Sequence, residues 1–159
     1  MALEADPTFR EAKDLQGGAA GLKCARAQAL ISYRSFKGYG LTQAEADPDT
    51  LFAGRVASYE RYQGEKLVRR GFDAYSYFTL CNALDSHNAG RGRGGVKEAL
   101  QRIKAACTVV AVDSDLIFPP AESREWVSWI PNARLIEISS LFGHDGLLLE
   151  TAKLSALIL

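Results

Sequence analysis

Two short segments carry the residue types that acid–base chemistry needs. VVAVDSDLIFPP places Asp113 and Asp115 just past a β-branched run, and FGHDG places His144 and Asp145 just past RLIEIS. If both runs are parallel strands, each acidic or imidazole group stands beyond a carboxyl end, where open α/β sheets gather their catalytic groups. A carboxylate there can accept from imidazole Nδ1, hold one tautomer and stabilise the imidazolium formed on proton uptake. Asp113 still lies at the strand end, and Asp115 sits just beyond it. Spacing alone leaves a plainer reading open, since aspartate is common in loops after strands.

The surrounding elements must deliver that placement. CTVVAV (107–112) is a continuous apolar run of the kind found in parallel strands buried on both faces. A helix opening at Pro119-Pro120 and running through ESREWVSWI connects it to the strand 134–139, and a further helix follows over 147–157. Val96–Lys104 forms a short amphipathic helix before the first strand. This succession predicts two βα units of a parallel sheet, which is fewer strands than an independently stable sheet needs.

The first half reads differently. Helices are expected over 21–33, from about Asp49 to Arg70 (Val56, Tyr59, Leu67 and Val68 buried), and over AYSYFTLCNALD with Tyr75, Phe78, Leu80 and Leu84 as its apolar face. Gly38 and Gly40 are expected to end the first helix, with an irregular connector to Asp49. The division predicted is a helical region over 1–88 and an α/β region over 89–159.

Composition narrows the function classes. The 159 residues carry nineteen basic and nineteen acidic side chains, so no global field recruits nucleic acid or an anionic membrane. No apolar run is long enough to span a bilayer. The charged N-terminus lacks the core of a signal peptide, and Cys24, Cys81 and Cys107 form no metal-ligand spacing. These features point to a cytoplasmic protein without a bound metal. GRGRGG (90–95) matches a dinucleotide fingerprint in letters but does not follow a strand, so it reads as a hinge. His87, Trp126, Trp129 and Tyr33 read as structural or packing residues.

The order Asp then His, with DSDLIFPP, RLIEIS and FGHDGLLLE, resembles the C-terminal segment of homoserine O-acetyltransferases. RGFDAYSYFTLCNALDSHNAGRGRGG resembles the lid-to-core junction of that family, and GLKCARAQALISYRS its first lid helix. The resemblance implies the last two βα units of an α/β-hydrolase fold plus a helical lid. It implies Asp115 and His144 as catalytic relay, and Arg26 and Asp145 as contacts to the carboxylate and ammonium of homoserine. Residue type alone leaves Arg26 readable as a solvated helix residue and Asp145 as a helix cap. The family activity is acetyl transfer from acetyl-CoA to the homoserine hydroxyl in methionine biosynthesis. Acetyl-CoA is then a co-substrate rather than a resident cofactor, with its binding residues unassigned, and a homodimer through lid helices is expected. Succinyl transfer to homoserine or serine by the same fold, or a non-catalytic remnant that only associates through its lid, are the alternatives. No serine here has glycine two residues to either side, so the nucleophile elbow of such an enzyme is missing. The chain alone is expected to be inactive. It is also expected to expose a strand edge and apolar surface and therefore to self-associate. Size-exclusion chromatography reads this, and a cooperative monomer would count against it.

Overall fold

A computed structural model describes residues 1–12 and 14–158, which divide into two compact units, 1–31 with 40–87 and 32–39 with 88–159. Residues 32–39 thus group with the α/β part, although the sequence division places them in the helical region.

The first unit begins with a single turn, α1 (Thr8–Glu11), and the long helix α2 (Ala19–Tyr33). Its other helices are α4 (Arg55–Arg69) and α5 (Ala74–Ser86). Asp73 caps α5, its carboxylate accepting the Ser76 N–H at 2.8 Å. The core is a small cluster of Leu3, Phe9, Leu22 and Ala74, with Leu67, Val68, Phe72, Tyr75 and Tyr77 packed against it. The Phe9 and Tyr75 rings stack with centroids 5.1 Å apart, and the Tyr75 hydroxyl donates to the Phe9 carbonyl at 2.6 Å. The α2–α4 approach is close enough to exclude a side chain, because a Cβ on Gly64 would lie 2.7 Å from the Lys23 carbonyl oxygen.

The burial expected for two helices needs correction. Val56 is exposed on α4, whose buried positions are Glu60 and Gly64. On α5, Phe78, Leu80 and Leu84 are exposed as well. That helix packs through Ala74, Tyr75, Tyr77 and Cys81, and Leu80 and Leu84 lie off this face.

A second correction concerns the stretch after Tyr33. It is not irregular: α3 spans Phe36–Gln43 and includes both glycines. Ser35 precedes it, and its Oγ accepts the Gly38 N–H at 3.0 Å, which is an N-cap bond to the third helical residue. The cap outweighs the weak helix propensity of glycine.

The second unit contains α6 (Val96–Leu100), β1 (Cys107–Val112), α7 (Pro120–Val127) and β2 (Ala133–Ile138). Among the described residues the sheet is β1 and β2 alone, parallel, in register from Cys107↔Ala133 to Val112↔Ile138. Helix α7 is the crossover, with Pro119 as its cap and Pro120 in the first turn. It ends at Val127, earlier than the sequence suggests, as Ser128, Trp129 and Ile130 each donate three residues back and tighten the chain. Burial of β1 is confined to its end: Ala111 and Val112 are buried, whereas its first four residues are half-buried or exposed. One neighbouring strand and one crossover helix are too little to cover both faces. The C-terminal helix is also interrupted. A 3-10 turn (Gly143–Asp145) leads into α8 (Gly146–Leu149), and α9 (Thr151–Ile158) starts after a break at Glu150.

Gly143 adopts φ +62°, and a Cβ there would lie 2.7 Å from the Ser35 nitrogen and 2.9 Å from the Tyr33 oxygen. Both the left-handed backbone and the lack of space oppose any side chain. Gly143→Ala should therefore lower stability by about 1–3 kcal/mol, read as a reduced urea midpoint at unchanged slope.

Candidate functional site: a histidine–aspartate relay at the strand ends

Because β1 and β2 pair up to their last residues, the loops that follow leave the sheet side by side. The ladder runs one residue further, the Asp113 N–H donating to the Ile138 carbonyl at 3.0 Å. Asp113 then turns its carboxylate across, accepting the Ser140 N–H at 3.0 Å. Ser114 bridges the same two loops. Its hydroxyl donates to the Ser140 carbonyl and accepts the Gly143 N–H at 3.1 Å.

These ties set Asp115 against His144. Asp115 is 4% exposed. One carboxylate oxygen accepts the backbone N–H groups of Ile117 and Phe118 at 2.8 and 3.0 Å; the other meets His144 Nδ1 at 2.9 Å. An ionised carboxylate only accepts, so Nδ1 carries the proton and Nε2 is left as the basic atom. The imidazole is flanked by Phe118 and Tyr33, with ring centroids 5.3 and 5.6 Å away. It nonetheless keeps 27% of its side-chain surface open. A buried orienting carboxylate behind a partly accessible imidazole can move a proton to or from a hydroxyl.

The other residues singled out in the sequence have separate fates. Asp145, next to the histidine, forms an ion pair with Arg34, Oδ2 to Nε 2.6 Å, both side chains largely buried. Arg26 is a half-buried residue of α2 in the first unit. His87 is exposed at the end of α5, and Trp126 and Trp129 are half-buried. GRGRGG follows helix α5 rather than a strand, with Gly92, Gly94 and Gly95 at positive φ, which removes the strand–turn–helix context of a dinucleotide fingerprint. Among the described residues no group of three or more His, Cys, Asp or Glu gathers as a metal site, and no helix is long and apolar enough to cross a membrane.

Sequence reasoning missed Arg34, Ser35 and Ser114. Ser114 was within reach, since a hydroxyl between the two aspartates of DSD invites a role in the turn. Arg34 and Ser35 offer no local signal, because their partners lie over a hundred residues away.

Strand, crossover helix and parallel strand, with aspartate after the first and histidine after the second, make this chain the C-terminal part of an α/β-hydrolase fold. Solved structures agree. Homoserine O-acetyltransferase from Bacillus anthracis superposes with a TM-score of 0.81 at 17% identity, covering 95% of this chain and 43% of that one. Esterase E22 superposes with a TM-score of 0.78 at 18% identity, covering 98% and 46%. No family model matches the chain. In sequence it is 39% identical over 158 residues to the homoserine O-acetyltransferase of Cyclobacterium marinum, covering 99% of this chain and 44% of the relative. The chain belongs, as a C-terminal part, to the homoserine O-acetyltransferase family. It spans less than half the length of the curated relatives it matches.

The turn held by Asp113 carries a pH dependence. The Ser140 N–H, then the Ser139 hydroxyl, hold the Asp113 carboxyl below its ordinary value against the opposing effect of burial. A depressed folded-state value stabilises the fold above the unfolded value, and this stability is lost as pH falls through the folded one. Asp113→Ala should be less stable than the wild type at neutral pH. The gap in thermal midpoint should narrow once pH drops below about 4.

Proposed function

We propose that this chain contributes the proton relay and the acceptor-binding groups of a homoserine O-acetyltransferase. The observation that carries this is the 2.9 Å Asp115–His144 contact at the ends of paired parallel strands, in a chain with family likeness over its whole length. His144 Nε2 takes the proton of a serine nucleophile as that oxygen attacks the thioester carbonyl of acetyl-CoA. The sulfur leaves as CoA thiol, protonated by the imidazolium. His144 then takes the proton of the homoserine hydroxyl as it attacks the acetyl-serine, and returns a proton to the departing serine oxygen. Asp115 orients the ring throughout. Asp145 is proposed as partner of the acceptor's ammonium, and Arg26, by its planar fork, as partner of the carboxylate.

The nucleophile and most of the oxyanion hole belong to a part of the enzyme that these residues do not contain. Acetyl-CoA serves as co-substrate, and the setting proposed is the cytoplasm. The exposed Phe78, Leu80 and Leu84 on α5 support association of two copies through the helical region.

The test joins this chain to the N-terminal part of the Cyclobacterium marinum relative and follows CoA thiol release with L-homoserine. Turnover is expected, and His144→Ala should reduce kcat by about a thousandfold or more. Turnover that survives His144→Ala unchanged would sink the assignment.

A further inference from the structure

The loop that carries His144 is held from below by residues far upstream in the chain. Ser35, 106 residues before Leu141, donates its hydroxyl to the Leu141 carbonyl while accepting the Gly38 N–H. Gly38 sits so close to that same carbonyl that a Cβ would collide with it. Gly143 lies on the backbone of Tyr33 to Ser35 with no room for a side chain. The Tyr33 ring faces the imidazole. Arg34 reaches past these contacts to Asp145, the residue after the histidine, at 2.6 Å. Backbone contacts to Leu141 and Gly143 fix where the loop starts, and the ion pair fixes it on the far side of His144.

That ion pair differs from the other ones in the unit. Arg124–Glu137 is also 2.6 Å, but its arginine is 58% exposed, and exposed pairs hold little. Arg34 and Asp145 retain only 18% and 16% of their side-chain surface. Removing Arg34 takes the ion-pair partner from a largely buried Asp145 carboxylate, so that side chain must move or recruit water. Movement of Asp145 is passed directly to the adjoining His144 backbone.

We infer that Arg34 is a positioning residue for His144, holding Asp145 so that the imidazole is presented to Asp115. The inference rests on the relay proposed above, yet it concerns a contact readable without catalysis. The role needs a cation beside a short carboxylate, met here by Arg34 Nε against Asp145 Oδ2; lysine can supply the charge with looser geometry.

The test uses the chain as it stands, labelled with nitrogen-15 histidine. Only two histidines are present, and exposed His87 serves as internal reference. In the wild type the His144 Nδ1–H proton, bonded to Asp115, should be observed with slow solvent exchange. Arg34→Gln should speed that exchange by about tenfold or more, or broaden the signal away, because Asp145 loses its ion pair and the adjoining Nδ1–H bond to Asp115 opens more often. Arg34→Lys should recover most of it. Arg34→Gln combined with Asp145→Asn, which leaves no bare charge, should be no worse than Arg34→Gln alone. Backbone amides of Val109 and Ala111, which face β2 in the parallel register and are followed on a uniformly nitrogen-15-labelled sample, should keep their protection in all variants, separating a local role from general destabilisation. An Nδ1–H signal unchanged in Arg34→Gln overturns the inference. So does loss of that signal in step with the β1 amides. Absence of acetyl transfer in the joined enzyme would instead strike the functional reading and leave this measurement intact.

Discussion

Everything distinctive about this chain depends on the parallel pairing of β1 with β2 to the last rung, Val112 opposite Ile138. Parallel strands in register deliver their following loops to the same edge. The chemistry of those loops is therefore set by what comes immediately after Val112 and Ile138. After the first come two aspartates with a serine between them, and after the second a serine pair and then Gly-His-Asp-Gly. The carboxylate and imidazole need no long-range steering of their own. They inherit their proximity from hydrogen bonds made between backbones, which is why a two-stranded sheet with little burial still presents a well-formed pair.

The site also shows how the polar groups of a turn are divided. Asp113, Ser114 and Asp115 are consecutive, and each takes a different task. Asp113 closes the strand ends through Ser140, and Ser114 staples the two loops. Asp115 is left for the imidazole, with its second oxygen already satisfied by Ile117 and Phe118. A buried carboxylate with unmet oxygens would be costly. Two backbone donors and one imidazole N–H remove most of that cost.

Legibility from sequence follows the range of the forces involved. CTVVAV could be read as a strand because β-branched runs bounded by turn residues have few other solutions, and the proline pair marked the start of α7. Asp115 and His144 were legible as candidates because their position depends only on strand ends. Less legible was anything decided by packing. Gly38 and Gly40 look like helix breakers, yet the Ser35 cap and the close approach to Leu141 make a glycine-containing helix the better solution. Leu80 and Leu84 look like core residues by periodicity, but both are exposed and lie outside the small cluster around Phe9 and Leu22.

By itself, then, the sequence determined the two strands and the helices around them other than α3, the order of the relay residues and the family likeness, because these reside in local pattern and in motifs read along the chain. Tertiary structure alone decided that residues 32–39 join the α/β unit, and that Arg34 and Ser35 seat the histidine loop. It also decided that Asp145 is already engaged by a cation before any acceptor arrives. The physical reason is that these contacts join positions over a hundred residues apart. Their energy comes from buried charge and shared backbone donors, and neither leaves a periodic trace in the chain.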